Sequence, residues 1–172
     1  MEFEYKSQLP ADFNPDSRVW IYQSSRHFLI NESIEIDTLL QKFVAQWDSH
    51  GTAVKGFASL LFGHFIVLIA DESATGVSGC STDSSVRMIK EIESRFNVNL
   101  FDRQMLAFVI KDKIQLLPLG QLKYAADNHF INANTIYFNN LVQTKQELDN
   151  SWMIPIKCSW LAKRISFPES VS

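Results

Sequence analysis

The sequence is short of cysteine and glycine, has no apolar run long enough to cross a membrane, and is nearly balanced in charge. Its two cysteines, Cys80 and Cys158, are too few for a disulfide framework and are not spaced as metal ligands. Reduced thiols suit a cytoplasmic protein better than a bridge between them. The longest apolar stretch, Phe65 to Ala70, falls far below the roughly 20 residues that a membrane-spanning helix needs. The first residues, Met-Glu-Phe-Glu-Tyr-Lys, lack the basic region and apolar run of a secretory signal. Sixteen Lys and Arg against nineteen Asp and Glu give a net charge of −3, without the basic excess of a duplex nucleic-acid binder. Lys157, Lys163 and Arg164 make the tail locally basic, which reads as a solvated end. We therefore expect a cytoplasmic location and neither nucleic acid nor membrane among the partners.

Several chemical signatures are missing as well. There is no G-x-x-x-x-G-K-[ST] loop and no G-x-G-x-x-G after a strand. Nor is there C-x-x-C, H-E-x-x-H or G-x-S-x-G. A P-loop cradles phosphates with Gly-rich backbone and a Lys, so P-loop nucleotide hydrolysis has no apparatus here, and no cofactor is expected.

What is present suits one globular domain. The chain has 172 residues, 46% of them hydrophobic, with thirteen Phe and four Trp to fill a core. Pro10, Asn14, Pro15, Asp16 and Ser17 punctuate residues 1–17, which read as an arm. The domain should span residues 18–165, leaving 166–172 as a tail. Residues 18–23 read as a strand. Ile36, Leu39, Leu40, Phe43, Val44 and Trp47 then recur on one face of a helix, with Ser33 as its N-cap and Gly51 as its stop.

Two apolar runs, 54–61 and 65–70, flank Phe62-Gly63-His64 and read as a hairpin. A small-residue loop, 73–79, leads to a second helix starting near Ser81 to Asp83 and running to Phe96. A second hairpin is expected over 105–110 and 114–117, a short helix over 120–128 and a strand over 135–138. Thr144-Lys-Gln-Glu147 is a capping box opening a last helix, which ends near Trp152 before Pro155. The expected fold is α+β, a mostly antiparallel sheet of about five or six strands covered by amphipathic helices.

Chemistry is best placed at Ser78-Gly79-Cys80-Ser81-Thr82-Asp83-Ser84-Ser85. Unpaired amides and the helix dipole at a helix start favour negative charge, which can lower a cysteine pKa or hold a phosphate or carboxylate. Gly79, Cys80, Ser81, Thr82, Asp83 and Ser84 are thus candidate ligand-binding residues. The plainer reading makes the polar ones ordinary caps and Cys80 a small apolar filler.

A nucleophilic Cys80 needs a base. Of His27, His50, His64 and His129, the hairpin register places His50 at the end of the sheet where Asp71 leads into the Cys80 loop, and His64 at the far end. A Cys80–His50–Asp71 set follows, although His50 also reads as a cation at a helix C-terminus. Asp71 and Glu72 could hold a divalent metal but more simply end a strand in solvent. Asp102 and Arg103 read as a loop ion pair. Trp20, Tyr22, Tyr137, Phe138, Trp152 and Trp160 read as core and interface rather than as a base-stacking platform, and Asn139 and Asn140 as turn formers.

Ser17-Arg-Val-Trp-Ile-Tyr-Gln-Ser24, Ser78-Gly-Cys-Ser-Thr-Asp83, Leu100-Phe-Asp-Arg103 and Phe138-Asn-Asn-Leu-Val142 with Thr144-Lys145 together resemble a family of small Bacteroidetes proteins, often labelled "ABC transporter ATPase". The resemblance covers about residues 17 to 165 and implies no catalytic residues. The Walker A motif, the C-loop signature and the length that the label would require are missing. Three functions stay open. One is a binding or regulatory module with a small anionic ligand or protein partner at the Cys80 loop. Another is a thiol-dependent enzyme with Cys80 as nucleophile and His50 as base. The third is a structural protein, for example a homodimer.

Overall fold

Turn chemistry sets the first sheet. Strands β1 (Arg18–Gln23), β4 (Lys55–Leu61) and β5 (Phe65–Asp71) form it. The structure, a computed structural model, describes residues 3–74 and 79–168, with the side chains of residues 79–81 outside that description. The expected hairpin is present: Leu61 faces Phe65 and Lys55 faces Asp71. Phe62 and Gly63 turn the chain with φ of 55° and 61°, and the Leu61 carbonyl accepts from the His64 N–H at 3.0 Å. β1 runs antiparallel to the other edge of β5, so the order is β1-β5-β4 and β5 is central. Every residue of β5 is buried.

Helix α1 (Ile30–Gln46) begins three residues before the expected Ser33 cap. An acid in the first turn fixes the start: the Glu32 carboxylate accepts from the Leu29 N–H at 2.8 Å and is gripped by Arg26 at 2.8 and 2.9 Å. It stops at Gln46, well before Gly51, because Trp47 swings into the core and is only 2% exposed. A short hairpin follows, β2 (Asp48–Ser49) and β3 (Thr52–Ala53), turning at His50 and Gly51 with φ of 52° and 81°. Helix α2 (Gly79–Phe96) starts two residues earlier than expected, so the Cys80 backbone lies within its first turn rather than ahead of it. Ile36 and Leu40 of α1 and Ile89, Ile92 and Phe96 of α2 pack on Ala58, Ile66 and Leu68, covering one face of the first sheet.

The remaining strands form a second sheet, not an extension of the first. β6 (Met105–Ile110), β7 (Lys113–Pro118), β8 (Ile136–Phe138) and β9 (Met153–Pro155) are ordered β7-β6-β8-β9, all antiparallel. β9 has no counterpart among the expected elements, since three residues ending in Pro carry almost no strand pattern. One face of this sheet, through Ala107 and Phe138, joins Phe65, Val67 and Ile69 of β5 in a common core. Its other face, through Leu106, Phe108 and Tyr137, is covered by α3 (Leu122–Asp127) and by Ile156, Leu161 and Ile165 of the C-terminal segment. Helix α4 (Lys145–Ser151) adds Leu148 to the inter-sheet core, and half of the expected capping box forms: the Thr144 hydroxyl accepts from the Glu147 N–H at 3.2 Å, but the Glu147 carboxylate accepts from the Gln143 N–H instead of the Thr144 N–H.

The fold is α+β, in four layers: helices, sheet, sheet, helix. Two hairpins do not reveal whether they share a sheet, because that depends on which strand each edge finds. The segment before β1 enters the core too. Tyr5 and Leu9 are buried, and the Tyr5 ring lies edge-on to Trp152 with centroids 4.8 Å apart. Among the described residues no helix is long and apolar enough to cross a membrane.

Gly63 is where the first hairpin is most easily broken. It has positive φ, and a Cβ there would sit 2.7 Å from the His27 ring. Gly63→Ala should lower unfolding free energy by about 1–2 kcal/mol, as measured by urea denaturation; an unchanged midpoint would contradict this account of the turn.

Candidate functional site

Asp71 ends β5 and is only 3% exposed, yet its carboxylate is fully engaged by the fold. One oxygen accepts from the Ser73 N–H at 2.9 Å, and the other accepts from the Asn14 N–H at 3.0 Å with Lys55 Nζ 3.6 Å away. The Ser73 and Asn14 hydrogen bonds, with Lys55, hold its pKa down from 3.8 to about 2. Asp71 therefore ties residue 14 and the start of the following loop to the sheet end. No hydrogen bond or ion pair joins it to His50 among the described residues.

His50 occupies the exposed turn between β2 and β3 and not the end of α1, so its reading as a helix-terminal cation is replaced by a turn role. Gly79 and the side chains of Cys80 and Ser81 fall in the part of α2 whose surroundings lie outside the description, and with them the nucleophile of the expected set. Of the other candidate ligand-binding residues, Thr82 is half-buried and its carbonyl accepts from the Ser85 hydroxyl at 2.7 Å; Asp83 is exposed. Ser84 lines a groove of about 480 Å³ between α1 and α2. Two cations, Lys42 and Arg87, and two carboxylates, Asp48 and Glu91, line the same groove. Its charge has no single sign that would select a ligand.

His64 lies, as its sequence position predicts, at the opposite hairpin end from Asp71. It is 4% exposed, and neither ring nitrogen has a hydrogen-bond partner. Its ring lies 5.8 Å from that of His27. Burial, and to a lesser degree the charge of His27, lower its pKa from 6.5 to about 4.

A second concavity opens where the two sheets meet along β1. Two recesses, of about 660 and about 70 Å³, share Ile21, Arg103, Asn140 and Leu141 as lining. A chain of amides holds the walls together. Gln23 Nε2 donates to the Met105 carbonyl at 3.0 Å, Asn140 Nδ2 donates to Gln23 Oε1 at 3.0 Å, and Trp152 Nε1 donates to Asn140 Oδ1 at 2.9 Å. Asn140, read from sequence as a turn former, is thus also a structural clamp joining β1 to the second sheet. The expected Asp102–Arg103 ion pair does not form. Asp102 instead accepts the Gln104 N–H at 2.8 Å, and exposed Arg103 makes no ion pair or hydrogen bond with any described residue.

β1 itself supplies main-chain groups to this cleft. The Val19 N–H donates to the Gln143 carbonyl at 2.9 Å and the Lys145 N–H to the Ser17 carbonyl at 2.8 Å, about an isolated bridge between Arg18 and Thr144. Strand groups alternate sides, so Val19, Ile21 and Gln23 direct theirs away from β5. The ladder stops after this one bridge: the next donor, the Gln143 N–H, goes to the Glu147 carboxylate at 2.7 Å. The Val19 carbonyl, both Ile21 groups and the Gln23 N–H are left without a partner among the described residues. Sequence reasoning missed this site. Its only local signal was the run Asn139-Asn140 followed by the Thr144–Glu147 capping motif, whose Glu carboxylate accepts the Gln143 N–H.

Asp71→Ala would leave two amides without their acceptor and should cost about 2 kcal/mol and expose residues 3–14 to limited proteolysis; wild-type stability and protease resistance together would refute its anchoring role. For His64, the unfolded chain binds a proton that the folded chain refuses between pH 6.5 and 4. This stability is intact above pH 6.5 and is lost as pH falls toward 4, on the order of 3 kcal/mol in full. His64→Phe should remove that loss, so its melting temperature should rise relative to wild type as pH drops from 7 to 4.5. A pH-independent difference would exclude a buried neutral imidazole.

Compared with known proteins, the chain matches no family model, no curated protein and no solved structure, so the reading of its site rests on this geometry.

Proposed function

We propose that the chain is a cytoplasmic binding module, not an enzyme, and that its ligand enters the cleft between the two sheets beside the open end of β1. The observation that carries this reading is the interrupted ladder. Main-chain donors and acceptors of β1 with no partner among the described residues line a cleft together with an arginine that makes no ion pair with any of them. Buried polar groups left unpaired are costly, on the order of 1–3 kcal/mol each, and a ligand that met them would recover part of that. Junctions between packed layers are also where ligand clefts commonly form. A thiol-enzyme reading has less behind it, because Asp71 is committed to Asn14 and Ser73.

The test is titration of ¹⁵N-labelled protein with N-acetyl amino acids and small carboxylates. Shifts should concentrate at the Ile21 and Gln23 amides and the Trp160 indole N–H. Shifts centred on Ser84 and Arg87 instead, or none at millimolar fragment, would overturn the assignment.

A further inference from the structure

We infer that the occupant of this cleft is an extended peptide segment bearing an acidic residue, which adds as a short strand to the free edge of β1; this rests on the cleft being the binding site. The unpaired groups distinguish a peptide from a simple anion. They run acceptor, donor, acceptor, donor along one edge: the Val19 carbonyl, the Ile21 N–H, the Ile21 carbonyl and the Gln23 N–H. An anion satisfies only the donors. An extended backbone satisfies both, since its own groups alternate at the same spacing of roughly 6.6 Å per two residues.

The edge is also recessed. Val19 and Ile21 are 5% and 4% exposed, while Leu141, lining both recesses, is 58% exposed. A cleft walled in this way admits one narrow segment. A second copy of this chain would have to bring an edge that is itself recessed, which disfavours pairing of β1 with β1.

Charge selects the kind of segment. Arg103 lines both recesses with no ion-pair or hydrogen-bond partner among the described residues, whereas Arg18 is engaged by Glu72 at 3.4 Å. An Asp or Glu of the incoming strand would meet the Arg103 guanidinium in a charge-assisted pair. The smaller recess, lined by Leu100, Leu106 and Tyr137, takes an apolar side chain of the same segment.

Selection of hexapeptides from a random display library against the whole chain tests this directly. Binders should combine an acidic and an apolar residue. Methylating their backbone nitrogens one at a time should weaken binding about tenfold at alternate positions only. Binding should also protect the Ile21 and Gln23 amides from hydrogen exchange. Arg103→Gln, an exposed change, should weaken the peptides about tenfold and flatten the salt dependence, with Arg103→Lys recovering part of the loss. A flat methylation scan, indifference to Arg103→Gln, or failure to select any binder would overturn strand addition. Fragment shifts at Ile21 and Gln23 alongside a flat scan would sink this inference and leave the binding-module reading standing, whereas silence in both experiments would sink both.

Discussion

Strand β5 is buried on both faces and paired on both edges, and the architecture follows from that demand. Phe65, Val67 and Ile69 point into the inter-sheet core, while Ile66 and Leu68 point toward the helices. Burying a large aliphatic or aromatic side chain is worth about 1.5–3 kcal/mol, so a strand that is apolar on both sides must have two covers. Helices α1 and α2 supply one and the second sheet the other. Tyr5, Leu9 and Trp152 close the margin between the sheets.

Polar groups then decide where this packing opens. At one end of the sheet, Asp71 gathers two amides and approaches Lys55, sealing the N-terminal segment against the strand ends. Along β1, Glu147 has the opposite effect. Held at the start of α4 by Thr144, which accepts its N–H, it takes with its carboxylate the Gln143 N–H that a longer β1 ladder would have used. A charge-assisted bond to a carboxylate is stronger than a neutral main-chain rung, so the helix start prevails and the strand edge stays open. The amide clamp of Gln23, Asn140 and Trp152 keeps the two sheets from collapsing onto that gap.

Much of the fold was legible because it is local. The Phe62-Gly63-His64 turn, the Lys111-Asp112 turn and the Thr144 cap of Glu147 each act over a few residues, and each forms where expected. Boundaries were less legible where a distant partner sets them. Arg26 and Glu32 start α1 early, and the burial of Trp47 against Gly56 ends it early. The candidate site was less legible still. The sequence placed Asp71 at a strand end but could not show that Asn14, 57 residues away, occupies its carboxylate. It paired Arg103 with Asp102, whereas the loop turns Asp102 back on its own backbone.

By itself, then, the amino-acid order determined where the main helices run, the two long hairpins, and the α+β class, since periodicity and turn chemistry operate within a few residues of chain. Tertiary structure alone decided that the strands divide into two facing sheets, and that the edge of β1 beyond Val19 has no main-chain partner among the described residues, in a cleft that Arg103 also lines. Both outcomes depend on groups far apart in sequence, such as Val19 with Gln143 and Gln23 with Asn140, competing for the same hydrogen bonds once the layers have packed.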